Sequence, residues 1–302
     1  MTISFFKMTG SGNDFVMLDG RVSGPGDWTP ERIRAVCSRR TGVGADGLVI
    51  LSPAGEASDP TAGRQVARVG MDFYNSDGSR AAMCGNAALC SARLAARLGL
   101  SSGEMVLSTD AGMFPTRCLE SPHMAELNLA DFDAPVEAPG ISPRPGEALI
   151  ARATVGVPHL VVMVADLEVA DLMLRGCELR HHRGAGPEGE GEGEGANVNF
   201  VSRPVNPDDP WPIRTFERGV EGETLACGTG TVAVAAALSD AGLLDLPQEF
   251  LTRSGRVLAV RGGHEAGDRD DGKRRPAGGT WTGVWLSGEG RLVYEGTLGP
   301  LD

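Results

Sequence analysis

Two stretches of this chain place a cysteine where it could act as an acid or a base. Phe216 to Leu238 reads FERGVEGETLACGTGTVAVAAAL. The charged pair Glu217-Arg218 leads through a Gly-rich turn to Cys227, and a run of Val, Ala and Thr follows. A segment apolar all round reads as a helix buried on every side. Cys227 therefore stands at the helix start, where unsatisfied N–H groups and the macrodipole favour negative charge and lower a thiol pKa. Met83 to Leu98, MCGNAALCSARLAARL, repeats the arrangement with Cys84-Gly85 ahead of a small-residue helical run. Each copy has a polar, Gly-containing approach, Asn75-Ser76-Asp77-Gly78 in one and Glu217-Arg218-Gly219 in the other. One Cys-Gly before a helix reads as readily as a small buried core residue. Two in matched contexts point to a duplicated unit with a thiol at each helix start, a pair able to serve as base and acid. Cys90 falls on a different helix face from Cys84 and reads as core.

Few other groups compete for a chemical role. Lys7 and Lys273 are the only lysines, and Lys273 lies in the loop-like stretch DRDDGKRRPAGG. A pyridoxal Schiff base, which needs a lysine, is thus poorly supplied, with Lys7 its one candidate. The six cysteines are dispersed and form no Cys-x-x-Cys pair, so neither a zinc site nor any other metal site is expected. Gly42 to Gly47, GVGADG, has no Lys-Ser/Thr after it as a phosphate loop would, and reads as a turn lining a pocket. Asn13, in the turn TGSGND, either presents its amide to a ligand or hydrogen-bonds its own turn. His159, at the corner Gly156-Val157-Pro158-His159, is the histidine best placed for function. His181-His182, flanked by Arg180 and Arg183, reads as solvated surface.

The elements that must carry these groups follow from the pattern of the chain. At 302 residues it fits two domains of about 150 each. Strands are expected over Ile3–Phe6, Phe15–Leu18, Leu48–Leu51, Val69–Tyr74, Glu104–Ser108, Gly112–Leu119, Glu126–Leu129, Leu149–Val155, Leu160–Val164, Ala196–Val201, Trp211–Phe216, Glu249–Leu251, Val257–Val260, Thr280–Gly288 and Arg291–Gly296. Helices are expected over Pro30–Ser38, capped by Thr29, over Leu167–Arg175, and after each Cys-Gly. Residues 54–65 and the Pro-rich Pro135–Pro145 read as loops, as do the Gly/Glu tract Gly184–Gly195 and the charged segment His264–Gly279. The expected class is α+β, with two pseudo-symmetric domains, each a mostly antiparallel sheet wrapped around a central buried helix. A formal charge of −12 argues against nucleic acid as a partner. No apolar run reaches the roughly 18 to 20 residues that span a bilayer. The first residues show no export signal, so reduced thiols in a cytoplasmic protein are expected.

Taken together, GSGNDFV (10–16), GVGADG (42–47), FYNSDGSRAAMCGN (73–86), VGVPH (155–159), ANVNFV (196–201), ERGVEGETLACGTG (217–230) and VWLSG (284–288) resemble the diaminopimelate epimerase family over nearly the whole chain. The resemblance implies a cofactor-independent epimerase of lysine and peptidoglycan precursor synthesis, with an amino-acid substrate and a homodimeric assembly. It implies an N-terminal half of residues 1–120 plus 291–302 carrying Cys84, and a C-terminal half of residues 121–290 carrying Cys227. Cys84 and Cys227 match its catalytic thiols, and His159 and Glu217 the positions that tune them. Asn13, Asn75, Gly85, Asn86, Asn197, Glu217, Arg218, Gly228 and Thr229 match substrate contacts, and Tyr294 a dimer-interface tyrosine. Three departures stand out. Val157 replaces a frequent Asn, Gly47 a frequent Gln, and ERGVEGET is one residue longer than the usual form. A racemase of another amino acid stays open on the same residues. So do a cysteine nucleophile with His159 as its base, and a non-catalytic ligand-binding relative.

Overall fold

A computed structural model describes residues 3–186, 195–263, 279–299 and 301. The chain divides into two compact units, Met1–Asn128 with Ser287–Asp302, and Leu129–Leu286. The first boundary follows Asn128, not residue 120, because strand Met124–Asn128 pairs with Gly112–Cys118. The second precedes Ser287, not residue 291.

In the first unit the sheet runs, in spatial order, through Arg291–Leu298, Ile3–Gly10, Asn13–Asp19, Gly47–Asp59, Arg64–Asn75, Glu104–Thr109, Gly112–Cys118 and Met124–Asn128. Helix α1 (Pro30–Cys37) follows strand Asn13–Asp19, and helix α2 (Gly85–Arg97) follows the short strand Arg80–Ala81. Side chains alternate across the sheet. Val16, Leu18, Leu48, Ile50 and Tyr74 form one core with Ile33, Val36 and Cys37 of α1. On the other face α2 is enclosed, touching seven of the strands just named. Its residues Asn86 to Ala92 are all buried, Cys90 among them.

The second unit repeats this plan. Its sheet runs through Val136–Glu137, Glu147–Val155, Val157–Val164, Asn197–Val201, Trp211–Glu217, Gln248–Leu251 and Val257–Arg261. From Glu147–Val155 onward the pairings go antiparallel, parallel, antiparallel, parallel, antiparallel. That is the same series as from Ile3–Gly10 onward in the first unit. Helix α3 (Leu172–Arg180) takes the place of α1 in the chain order. Helix α4 (Gly228–Asp240) follows the short strand Gly222–Thr224 as α2 follows Arg80–Ala81. Leu160, Val162, Val198, Phe200 and Phe216 pack with Leu172 and Leu179 of α3. Gly230 to Leu238 of α4 are buried without exception, as a helix apolar all round requires. The architecture is α+β and doubled, but each sheet is mixed, since two of its pairings are parallel.

Several elements differ from the sequence expectation. Residues 54–59 are not loop: they extend a long hairpin, with Glu56 to Asp59 paired to Ala67 to Arg64. Their Ala, Gly, Ser, Asp and Pro content is poor in strand formers, yet pairing needs only backbone, and the Asp59 carboxylate closes the turn on Thr61. Val136–Glu137 is a short strand within the Pro-rich segment. Helix α3 starts at Leu172, five residues later than expected, because Asp171 caps it by accepting from Leu174 N–H. Arg180 therefore ends a helix and is buried, ion-paired with Glu221 at 3.0 Å, while His181 is exposed and His182 half-buried. The 3-10 turn Arg183–Ala185 caps on His182, so the expected loop at 184 begins with buried residues. Most of that loop, and most of the charged segment 264–279, lies outside the described residues. His159 sits within strand Val157–Val164, not at the corner, and is fully buried.

Candidate active site

Cys84 and Cys227 are the N-cap residues of α2 and α4, both with extended backbone (φ −140° and −128°). Their carbonyls accept the first helical hydrogen bonds, from Ala88 and Thr231. Neither thiol makes the side-chain bond by which Ser or Asp caps a helix. The first-turn N–H groups, at Gly85-Asn86 and at Gly228-Thr229, thus form the kind of donor cluster that helix starts offer to anions. Thr229 Oγ1 lies 3.7 Å from Cys227 Sγ, close enough to hydrogen-bond it. Both residues are partly exposed, whereas Cys90 and Cys37 are buried. Burial pushes the Cys90 thiol well above its usual range and the Cys37 thiol up to about 12, so neither ionises near neutrality.

Strand register brings the remaining candidates onto one row in each unit. In the first, Phe15, Gly47 and Asn75 are partners across three strands. In the second, His159 pairs with Asn197, and Glu217 follows Phe216, the partner of Val198, at the same end of the sheet. The row ends each sheet on the helix-facing side. Asn75 Nδ2 donates to Ser79 Oγ at 3.0 Å, and the backbones of the two residues are bonded as well. Asn197 Oδ1 accepts from Arg218 N–H at 2.8 Å. This fixes the chain direction at Arg218 and turns the amide's NH2 the other way. Glu217 O accepts from Glu221 N–H, closing the turn over residues 217–221. Glu221 adopts φ +55° there and accepts from Arg180 and from Gly219 N–H. The turn is thereby tied to α3.

Asn13 is more committed than the sequence suggested. Its Oδ1 accepts from Asn86 Nδ2 at 2.6 Å, and its Nδ2 donates to Asp46 at 3.1 Å. It links the start of α2 to the 42–47 loop. Gly47 has no space for a side chain as large as Gln. A Cβ there would lie 2.5 Å from Tyr74 O and 2.7 Å from the Phe73 ring. Tyr294 lies on strand Arg291–Leu298, half exposed, with its ring edge-on to Phe5 at 5.9 Å.

An ionic cluster that sequence reading passed over supports the first half-site. Buried Lys7 donates to Asp14 at 2.6 Å and to Gly44 O. Arg39 bridges Asp14 and Asp46 at 2.8 and 2.6 Å. Lys7, the one conceivable Schiff-base lysine, is thus engaged with a carboxylate. Burial alone would raise the Asp14 pKa, but hydrogen bonds from Arg39 and Lys7 outweigh it and hold the carboxyl below its usual range. A depressed carboxylate contributes stability that is present above its unfolded pKa and lost as pH falls through the folded value. Asp14→Asn is therefore expected to cost about 3 kcal/mol at pH 7, because it strands a buried ammonium. The difference from wild type should shrink in acid, below about pH 4. Urea denaturation at pH 7 and pH 3 checks both.

His159 is the most buried titratable group of the second half-site. Burial, with the nearby Arg218 charge, pushes its pKa down to about 3, so the ring is neutral. Asn199 Nδ2 lies 3.2 Å from His159 Nδ1 and 3.0 Å from Leu160 O, while Asn199 Oδ1 accepts from Thr215 Oγ1 at 2.9 Å. In the sequence Asn199 reads only as part of a strand. The signal was present in the alternation Asn197-Val198-Asn199, two amides on one face of a strand whose opposite face is apolar.

The fold places the chain among proteins built from two such halves. The phenazine biosynthesis protein of the PhzF family from Bacillus anthracis superposes with a TM-score of 0.66 at 12% identity, covering 99% of both chains. A hydroxyproline epimerase from Agrobacterium vitis gives 0.59 at 17% identity, covering 98% of this chain and 92% of that one. Sequence narrows the class further. A family profile described as diaminopimelate epimerase matches residues 5–126 and 152–264. The diaminopimelate epimerase of Gemmatimonas aurantiaca is 42% identical over 309 residues, 99% of this chain and 100% of that protein. That of Aquifex aeolicus is 37% identical over 305 residues, 98% of each. The chain belongs to the diaminopimelate epimerase family. Among the described residues, no helix is long and apolar enough to cross a membrane.

Proposed function

We propose that this protein interconverts LL- and meso-2,6-diaminopimelate, supplying lysine and peptidoglycan precursor synthesis, by proton transfer between two cysteines. The observation that carries the reading is the matched position of Cys84 and Cys227, each the N-cap of the buried helix of its own unit. Family membership supports the substrate. Inverting Cα needs a base on one face and an acid on the other. Cys84 as thiolate removes the proton from the L centre, and the Cys227 thiol returns one from the opposite side. Cys84 ends as thiol and Cys227 as thiolate, the starting state for the reverse reaction. No metal and no organic cofactor takes part in this scheme.

The carbanion is the costly species. N–H groups at Gly85-Asn86 and Gly228-Thr229 hold the substrate carboxylate, where preorganised donors stabilise the charge that develops. Glu217 takes the ammonium. Asn13, Asn75, Asn197 and Arg218 read the distal amino-acid end, with Arg218 on its carboxylate. His159, neutral, tunes the thiol chemistry from within the sheet, together with Glu217. The protein works as a cytoplasmic homodimer, with the exposed Val293-Tyr294 segment at the contact.

Val157, apolar where many members of the family have Asn, motivates one comparison. Turnover and α-proton exchange in D₂O are measured with LL-diaminopimelate, glutamate, histidine and proline. Diaminopimelate is expected to exceed the others in kcat/KM by about a hundredfold or more, the discrimination of a site built to bind polar groups. Preference for any of the other three would replace this substrate with another on the same mechanism.

A further inference from the structure

The duplication supplies an internal control for the second half-site. The strands that carry His159, Asn199 and Thr215 correspond, pairing for pairing, to those that carry Phe15, Val49 and Phe73. In the first unit all three positions are apolar, and Phe15 and Phe73 meet edge-on at 6.0 Å. The fold therefore does not need polar groups there. In the second unit three buried polar side chains replace that contact, at the desolvation cost that buried polar atoms carry.

Their hydrogen bonds determine one another. Leu160 O is a backbone carbonyl and can only accept, so the Asn199 atom 3.0 Å away must be the NH2 group. The opposite orientation would set two oxygens against each other. The Thr215 hydroxyl, 2.9 Å from Asn199 Oδ1, agrees with this assignment. The same NH2 group lies 3.2 Å from His159 Nδ1, which must then present a lone pair. In a neutral imidazole the proton is left on Nε2. Nε2 is buried and has no partner among the described residues. Space around the amide is also restricted. A Cβ on Gly230, in the first turn of α4, would lie 2.1 Å from Asn199 Oδ1 and 3.2 Å from Cys227 Sγ. The network is thus seated directly beneath the turn that carries the second thiol.

We infer that Asn199, braced by Thr215 and Leu160 O, is a positioning residue that holds His159 as its Nε2–H tautomer, so that the ring serves the site as a hydrogen-bond donor and not as a proton acceptor. The acceptor for that N–H is an anion of the reaction, a cysteine thiolate or the substrate carboxylate. This deepens the two-thiol reading and rests on it. It also counts against a cysteine nucleophile with His159 as its base, because the ring nitrogen that could accept is already occupied.

The test is long-range ¹H–¹⁵N correlation on the full-length protein with ¹⁵N-labelled histidine, the His159 signals being assigned by their loss in His159→Gln. Wild type is expected to show the Nε2–H pattern, unchanged from pH 5.5 to 8. An Nδ1–H pattern for the assigned His159 ring, or a titration within that range, overturns the inference. Asn199→Asp offers Nδ1 an acceptor in place of a donor. It is expected to move the proton to Nδ1 and to lower kcat by about ten- to a hundredfold, the loss of one hydrogen bond to a charged group. KM should change much less. Thr215→Val, a milder change, should lower kcat in the same direction by a smaller factor. An Asn199→Asp enzyme with wild-type tautomer and rate also overturns it. Failure of the wild-type protein to epimerise diaminopimelate would defeat the proposed activity, whereas the tautomer is read independently of turnover.

Discussion

Replacing either Cys84 or Cys227 with serine is expected to lower epimerisation about a thousandfold or more, within the range for loss of a positioned acid or base. A thiol has a reference pKa near 8.5, and a helix N-terminus favours its anion, so a thiolate is accessible at neutral pH. A serine hydroxyl is a far weaker acid and cannot take over as the base. Both residues must cycle through both protonation states, so neither variant retains the cycle in either direction. The folded state gives a useful control. Both cysteines are N-caps that make no capping bond, and serine is among the best N-caps, worth about 1 kcal/mol over a residue that cannot cap. The serine variants should therefore be as stable as wild type or more so. Loss of activity together with equal or higher Tm separates a chemical role from a structural one. Retention of activity within tenfold in either variant would remove that residue from the mechanism.

Arg218→Met is expected to lower kcat/KM for diaminopimelate about a hundredfold, mostly through KM. A charge-assisted hydrogen bond contributes roughly 1.5–3 kcal/mol, and leaving its partner carboxylate unpaired in a closed site adds to the loss. Asn197 holds the Arg218 backbone at 2.8 Å, so the chain path at that position should survive the substitution. Arg218→Lys should recover only part of the loss, because an ammonium offers a point charge in place of a planar fork. Lysine, which has no distal carboxylate, supplies the comparison. Whatever weak α-proton exchange the wild type shows with lysine should be nearly unaffected in Arg218→Met. Equal loss with both substrates would assign Arg218 to the reacting end or to structure.

The parts of this fold that could be read from sequence are those where one segment carries its own signal. The two Cys-Gly helices announced themselves by their small residues, and the second also by having almost no polar face. Thr29-Pro30 marked the start of α1, whose cap bond to Arg32 N–H is present. What stayed hidden depends on partners far away in the chain. Residues 54–59 look like loop until Arg64 to Ala67 is set beside them. Asp171 outweighed the earlier apolar residues as the start of α3. His159, at the end of a turn signature, gave no sign that strands on one side and α4 on the other would bury it. The ion cluster of Lys7, Asp14, Arg39 and Asp46 joins four separate stretches. Asn199 acquires its role only when register sets it between Val161 and Thr215. The first half-site was legible in its residues but not in their commitments. Asn13 holds Asn86 and Asp46 together before it meets any ligand.

The mechanism rests on two separate groups exchanging protons with opposite faces of one carbon. The measurement that tests this most directly follows LL-diaminopimelate in D₂O over the first few per cent of turnover, recording deuterium at Cα in product and in recovered substrate. With Cys84 and Cys227 as distinct acid and base, the meso product should carry solvent deuterium at the inverted centre from the outset, while recovered substrate keeps its hydrogen. Meso product that retains the hydrogen taken from the substrate would mean that one group removes and returns the same proton, and the second thiol would then have no part in the chemistry.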